Sequence, residues 1–183
     1  SKNHTCNLFI NVNKPISYYF KHPAGKVYIN EKIFKMLDPL ISHQDYINKF
    51  QIFKNEKIDI NFDLLRELPI NLLLDNTRYA TLLTGVHPDL TTEFINAEFH
   101  NTIKDYVVIQ RTFRYRNQFI NYDFIQNYKK ILFIGVKSEF DDLKKSVNNC
   151  EFYDCKDFME MAQIIKSSKF TIGNSSLAFP IAE

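Results

Sequence analysis

The stretch Ile131-Leu132-Phe133-Ile134-Gly135-Val136 is the longest apolar run of the chain and has the length of a strand rather than of a helix. Three further short runs of β-branched and apolar residues accompany it: 106–110 before it, and 150–153 and 169–172 after it. Strands that are apolar throughout, without polar alternation, are typical of a sheet covered on both faces. The second half therefore predicts a buried sheet of four strands.

Helical patterns separate these strands. A short helix is expected at 123–128. The next begins at Ser138, with acidic residues in its first turn and lysines later, an order that suits the helix dipole. Asp157 is placed to cap a helix that runs to Ile165, and the turn 173–176 leads into a last helix. This alternation predicts right-handed crossovers and a Rossmann-like parallel sheet, whose ligand lies beyond the carboxyl ends of the strands.

The first half has a weaker pattern, which predicts a partial α/β domain. Strands are expected at 8–12 and 46–53, and helices at 31–40, which Pro39 would end early, at 63–68 and at 76–84. The stretch 91–104 is polar and resembles a linker. We therefore predict two domains, residues 1–103 and 104–183.

Composition narrows the classes of function. Of 183 residues 45% are hydrophobic and 24% charged, and the net charge is +2, which argues against disorder and against nucleic-acid binding by bulk charge. No apolar run approaches the ~18 residues of a membrane span, so at most peripheral membrane contact is expected. Three cysteines without C-x-x-C spacing, and histidines confined to the first hundred residues, predict reduced thiols in a cytoplasmic protein and no metal site.

Three of the five arginines, Arg111, Arg114 and Arg116, fall within six positions, just past the first strand of the predicted sheet. Guanidinium groups bind phosphate through two parallel hydrogen bonds, which lysine cannot do, so this loop predicts an anion site. The alternatives are a solvated loop and a set of ion pairs. Phe113 and Tyr115 would also suit single-stranded nucleic acid, an interpretation that the modest net charge disfavours.

Two further features could share that edge of the sheet. Gly173 begins a strand-to-helix turn in which Asn174, Ser175 and Ser176 offer backbone N–H groups and hydroxyls to an anion, although Asn and Ser are also ordinary helix caps. Glu139, four residues after Gly135, is placed to accept hydrogen bonds from ribose hydroxyls, or else to satisfy the helix dipole. No G-x-G-x-x-G, P-loop or G-x-S-x-G motif is present.

In order and spacing, the runs 106–115, 132–139 (with Gly135-x-x-x-Glu139), 158–165 and 170–176 resemble the donor-binding half of GT-B glycosyltransferases. The similarity covers residues 105–183 and is greatest to the heptosyltransferase-like branch, glycosyltransferase family 9 and its relatives. The chain would then be a fragment, cut at both ends and inactive when isolated, with residues 1–100 as the later part of the acceptor-side domain.

The resemblance implies a metal-independent transfer of a sugar from a nucleotide-diphosphate sugar to an acceptor hydroxyl on a glycan or lipid-linked molecule, in surface glycan or lipopolysaccharide synthesis, with no cofactor. By the same resemblance, donor phosphate binds Arg111, Arg114, Arg116, Asn174, Ser175 and Ser176, and the ribose binds Glu139. Family members carry a His in the turn motif, where this chain has none, so heptose is not implied as the sugar. The catalytic base would precede residue 1.

Two alternatives stay open at this point. A nucleotide-sugar epimerase would use the same architecture, and a non-catalytic module would bind only a nucleotide or phosphate. Saturable binding of a nucleoside diphosphate would favour the transferase or the epimerase, and sugar transfer would favour the transferase over the epimerase. No diphosphate binding, with preference for a peptide or an oligonucleotide, would leave the module.

Overall fold

A computed structural model describes residues 5–16, 25–67, 76–89 and 91–183. The contacts of the chain group it into two units, Ser1–Ile52 together with Ile95–Glu183, and Phe53–Phe94. These units follow contacts alone, so the domain division predicted at residue 103 stays a prediction.

The chain begins with a β-α-β arrangement. Strand β1 (Cys6–Ile10) pairs in parallel with β2 (Ile47–Ile52), and helix α1 (Glu31–Ile41) lies between them in sequence. Asn30 caps α1, since its side chain accepts a hydrogen bond of 2.9 Å from the Ile33 N–H. The expectation that Pro39 ends the helix early is wrong. Pro39 is tolerated close to the helix end, where the Ser42 N–H donates to the Asp38 carbonyl and closes the last turn.

The described residues of the unit Phe53–Phe94 form two short helical elements. Phe62–Glu67 is a 3-10 helix, and α2 spans Asn76–Thr84, as the sequence predicts. The last residue of the helix predicted at 63–68 lies outside the described residues.

The second half forms a four-stranded sheet of parallel strands, so the predicted mixed α/β class and parallel pairing are confirmed. The spatial order is β5-β4-β3-β6, which is compatible with a Rossmann-like arrangement. The strands are β3 (Val107–Gln110), β4 (Ile131–Ile134), β5 (Cys150–Tyr153) and β6 (Phe170–Gly173). The helices are α3 (Lys137–Leu143), α4 (Phe158–Lys166) and α5 (Ala178–Ala182), with 3-10 helices at Phe113–Tyr115 and Asp123–Asn127.

Both faces of this sheet are covered by helices. Successive side chains of a strand point to opposite faces, so each strand contributes residues to two cores. Val107 and Ile109 of β3 belong to the core that contains Phe140 and Leu143 of α3. Val108 belongs to the opposite core, with residues of α4 and with Ala178 of α5. Every residue of β3 and β4 is buried, as their uninterrupted apolar sequence predicts.

Helix α1 packs against α4 and forms a third, smaller core. Leu40, Ala97 and Ala162 are its buried members. The polar stretch 91–104, which resembles a linker in sequence, thus contributes the buried Ala97 to this core, and its partly buried Ile95 packs against it. The Gln44 side chain is buried beside it, donates to the carbonyls of Leu40 and Asn96, and accepts from the Asn96 N–H at 2.7 Å. These bonds satisfy all the polar groups of a buried amide, as burial requires.

Candidate functional site

The chain leaves neighbouring strands β3 and β6 toward opposite faces of the sheet. After β3 it crosses the face that holds Tyr122 and Ile125, whereas after β6 it enters α5 on the other face. Gln110 and Gly173 form the last pair of this ladder. In open parallel sheets, ligands bind at the crevice that opens where two crossovers diverge in this way. The loop 111–117 and the turn 173–176 therefore border the expected binding position.

The two segments meet through one side chain. Asn174 Nδ2 donates to the Thr112 carbonyl at 2.8 Å, and Asn174 Oδ1 accepts from the Thr112 N–H at 3.1 Å. Gln110 Nε2 also donates to Ser176 Oγ at 3.2 Å. The arginine loop and the serine turn are thus joined at one rim of the sheet. Asn174, predicted as a phosphate ligand, has its side-chain amide engaged in this junction.

The three arginines occupy different environments. Arg111 is 3% exposed, and its Nη2 donates to Asp142 Oδ2 at 2.5 Å, beneath the rim and on the α3 side. The Arg116 side chain, 37% exposed, binds the same carboxylate oxygen at 2.7 Å. Arg114 is exposed, donates to the Tyr115 hydroxyl and lies 4.3 Å from the centre of that ring. Arg114 and Arg116 are accessible to a ligand, whereas the phosphate-binding role of Arg111 stays a prediction beside its evident structural role.

Glu139 lies under the arginine loop. It is 5% exposed, and its Oε1 accepts a hydrogen bond of 2.9 Å from the Phe113 N–H. Burial raises the pKa of this carboxyl, although hydrogen bonds from the backbone of Phe113 and Val136 and the charge of Arg111 act to lower it. Glu139 therefore holds the loop in place. The ribose-binding role taken from the resemblance stays a prediction, because the carboxylate faces the loop backbone in this structure.

Three buried polar atoms near this rim have no hydrogen-bond partner within the described part of the chain: Gln110 Oε1, Arg111 Nε and Glu139 Oε2. Such atoms are rare in folded proteins, since each costs about 1–3 kcal/mol when buried without a partner. These three unpartnered atoms thus lie around the end of β3 and the first turns of α3.

Asp142 and Gln110 were not recognised as site residues from the sequence. Asp142 accepts hydrogen bonds from two arginines, and these contacts lower the pKa of its carboxyl even though burial acts to raise it. A signal was present, since Asp142 lies three residues after Glu139, on the same side of a helix. Gln110 is the one polar residue of an otherwise apolar strand.

The exposed part of the site offers donors and aromatic surface. Ser175 is exposed and Ser176 half-buried, in a turn where the Ser176 N–H donates to the Asn174 carbonyl at 2.5 Å. Phe113 and Tyr115 are 50% and 42% exposed beside the two accessible arginines. This combination can bind the charge of an oxyanion and the face of a planar ring.

Within residues 5–16, 25–67, 76–89 and 91–183, no group of three or more His, Cys, Asp or Glu side chains is arranged to hold a metal ion. No helix among these residues has the length and apolar character needed to cross a bilayer. The three cysteines are free; Cys6 is exposed, and Cys150 and Cys155 are buried.

Comparison of the chain with protein-family models, curated proteins and solved structures finds no match.

Proposed function

We propose that the rim between β3 and β6 binds the diphosphate of a nucleotide-diphosphate sugar, and that the chain is part of a metal-independent glycosyltransferase of the GT-B type. One observation carries this proposal: the arginine loop 111–117 and the serine turn 173–176 join at the point where two crossovers of a parallel sheet diverge. The resemblance in sequence order supports the glycosyltransferase class.

The side chains divide into those that bind and those that position. Arg114 and Arg116 would bind the phosphates through guanidinium groups, with the Ser175 and Ser176 hydroxyls as further donors. Asn174, Glu139 and Arg111 would hold the two loops at the spacing found here, through the Thr112, Phe113 and Asp142 contacts described above.

The proposed chemistry is displacement at the anomeric carbon of the sugar by an acceptor hydroxyl. The bond from that carbon to the diphosphate oxygen breaks, and the leaving diphosphate gains negative charge. Guanidinium and hydroxyl donors at the rim stabilise that charge, and a general base must accept the proton of the acceptor hydroxyl. No described residue is assigned as this base.

Titration of the chain with UDP, GDP and ADP by isothermal calorimetry tests the proposal. We expect saturable binding of at least one of them, and about a tenfold weakening in Arg114→Ala, since a charge-assisted hydrogen bond at an exposed position contributes about 1.5 kcal/mol. Arg78→Ala, a matched exposed arginine on α2, should leave the affinity unchanged.

Ser175→Ala should weaken the same nucleotide less than Arg114→Ala does, because it removes a neutral donor. The absence of binding to all three nucleotides, or equal weakening by Arg114→Ala and Arg78→Ala, would contradict the proposal. Nucleoside diphosphate binding without sugar transfer by any longer form of the protein would leave the epimerase and the non-catalytic module.

A further inference from the structure

A groove of about 830 Å³ lies between the first turns of α1 and the loop that follows β5. This volume is in the range of small-molecule sites. It is separate from the residues of the rim site described above. Its lining residues are Glu31, Lys32, Lys35, Met36, Asp154, Cys155 and Lys156.

Three exposed ammonium groups border the groove. Lys32, Lys35 and Lys156 are exposed, and none of their side chains forms a hydrogen bond, ion pair or ring contact with a residue that the structure describes. Unpaired cations around one concave surface raise the local concentration of anions. The same lining contains the carboxylates of Glu31 and Asp154, so its net charge is one positive charge, and it favours an anionic ligand whose charged group lies at the lysines.

The backbone adds to the same field. The first turn of α1 and the residues just before α4 both border the groove, so the N-terminal ends of two helices of 11 and 9 residues lie beside it. Each such end carries about half a positive charge. The Asn30 and Asp157 side chains each satisfy one N–H group of these ends, at Ile33 and Glu160.

The remaining lining differs from that of a site for a bare inorganic anion. Glu31 and Asp154 are exposed carboxylates, which accept hydrogen bonds from hydroxyl groups. Met36 and the buried Cys155 supply an apolar surface. Cations, hydroxyl acceptors and an apolar patch together match a ligand that has a phosphate, several hydroxyls and a ring with an apolar face.

The groove also lies at the same edge of the sheet as the rim site. Residues 154–156 directly follow β5, and all four strands are parallel, so this loop and the arginine loop after β3 both lie at carboxyl ends. β5 is two strands from β3, a separation of about 10 Å.

We propose that this groove binds a phosphorylated sugar, with Lys32, Lys35 and Lys156 on the phosphate and Glu31 and Asp154 on the hydroxyls. Its assignment as the acceptor of the transfer rests on the proposed function, whereas the binding itself does not. The phosphate monoester is mostly a dianion at pH 7.5, so three ammonium groups suit its charge.

The test is titration with glucose 1-phosphate at pH 7.5 and low ionic strength, by calorimetry or by ³¹P NMR. The variant Lys32→Ala/Lys35→Ala removes two ammonium groups from exposed positions of α1 while keeping a strong helix former at each position. We expect at least a tenfold loss of affinity. Lys129→Ala, an exposed lysine just before β4 and thus at the opposite edge of the sheet, should have no effect.

Two further comparisons decide what is recognised. Glucose 1-phosphate should bind more tightly than inorganic phosphate, and Asp154→Asn should reduce that preference; equal affinity for the two would overturn the sugar part of the proposal. An equal effect of Lys129→Ala and the double variant would overturn the site. UDP affinity should be unchanged in the double variant, so failure here and failure of UDP binding at the rim are separate results.

Discussion

The two parallel sheets of the chain differ in how far their faces are covered. Every residue of β3 and β4 is buried, whereas β1 begins with two exposed residues and is half-buried along the rest. The four-stranded sheet has α3 on one face and α4 with α5 on the other. On the two-stranded sheet, polar side chains form hydrogen bonds at the surface: the exposed Asn48 side chain donates to that of Asn7 at 2.8 Å.

The same difference extends to the loops at the strand ends. After β1 the chain is held by backbone hydrogen bonds, such as that from the Asn13 N–H to the Ile29 carbonyl at 2.7 Å. After β3 it is held by two buried side chains: Glu139 accepts a hydrogen bond from the Phe113 N–H, and Arg111 donates to Asp142. Coverage on both faces thus supplies buried side chains that fix the loops, and a preorganised site needs such support.

Thiol reactivity should show the largest contrast between the sheets. Cys6 on β1 is exposed, whereas burial raises the pKa of Cys150 on β5, and that of Cys155 just after it, to about 12. At pH 8 only about one such buried thiol in 10⁴ is a thiolate, the reactive form. We expect one cysteine per chain to react rapidly with iodoacetamide and two to react slower by a factor on the order of 10³ or more.

Peptide mapping of the alkylated chain would identify the fast cysteine. Cys6→Ser should abolish the fast phase, and denaturant should make all the remaining thiols react alike. Fast modification of Cys150 in the folded chain would show that β5 is not covered, and the contrast between the sheets would then be lost.

The covered sheet is also the part that the sequence predicts best. A run such as Ile131–Ile134 has no polar alternation because both faces are buried, so the pattern itself signals the environment. The parallel direction follows from the alternation of strands and helices. The partly covered β1 is displaced from its predicted span of 8–12 to Cys6–Ile10, because half-buried strands tolerate polar residues at either end.

Within the site, the sequence predicts where the two loops lie, but it predicts less of the contacts that their side chains make. The arginine loop and the serine turn meet at one rim because parallel strands end together. The direction of Arg111 follows from parity: it continues the series Val107 and Ile109 and so points toward the α3 face. The sequence places Asp142 on the same side of a helix as Glu139, but its pairing with Arg111 depends on how α3 lies across the sheet, which sequence patterns do not specify.

Two arginines bind Asp142, and the loss of stability on substituting each should depend on how deeply that arginine is buried. Arg111→Ala removes the buried partner and is expected to lower the free energy of unfolding by about 3 kcal/mol. Arg116→Ala removes a partner that is 37% exposed and should cost about 1 kcal/mol or less. Urea denaturation followed by far-UV circular dichroism would measure both.

Arg111→Met serves as the control for packing, because it restores much of the lost volume but not the charge. If the ion pair holds the loop, Arg111→Met remains well below the parent protein in stability. Equal losses of unfolding free energy in Arg111→Ala and Arg116→Ala would mean that the buried Arg111–Asp142 contact stabilises the chain no more than the partly exposed Arg116–Asp142 contact does.

The smallest effect should come from Glu139→Gln, which keeps an oxygen acceptor for the Phe113 N–H but cannot ionise. Because burial raises the pKa of Glu139 in the folded chain above its ordinary value of 4.5, the parent protein loses stability as the pH rises through that raised pKa. The variant does not share this loss. Its melting temperature relative to the parent should therefore increase as the pH rises above 4.5 and level off once Glu139 of the folded parent is fully ionised. The Asp142 carboxyl, whose pKa is lowered, loses its contribution to stability as the pH falls, but it is present in both proteins and cancels in the difference.

The control is Glu139→Ala, which removes the acceptor and should be less stable than Glu139→Gln at every pH. A difference between Glu139→Gln and the parent that does not vary with pH would show that this carboxyl is not held in a buried environment, and the rim of the four-stranded sheet would then be as open as that of the two-stranded one.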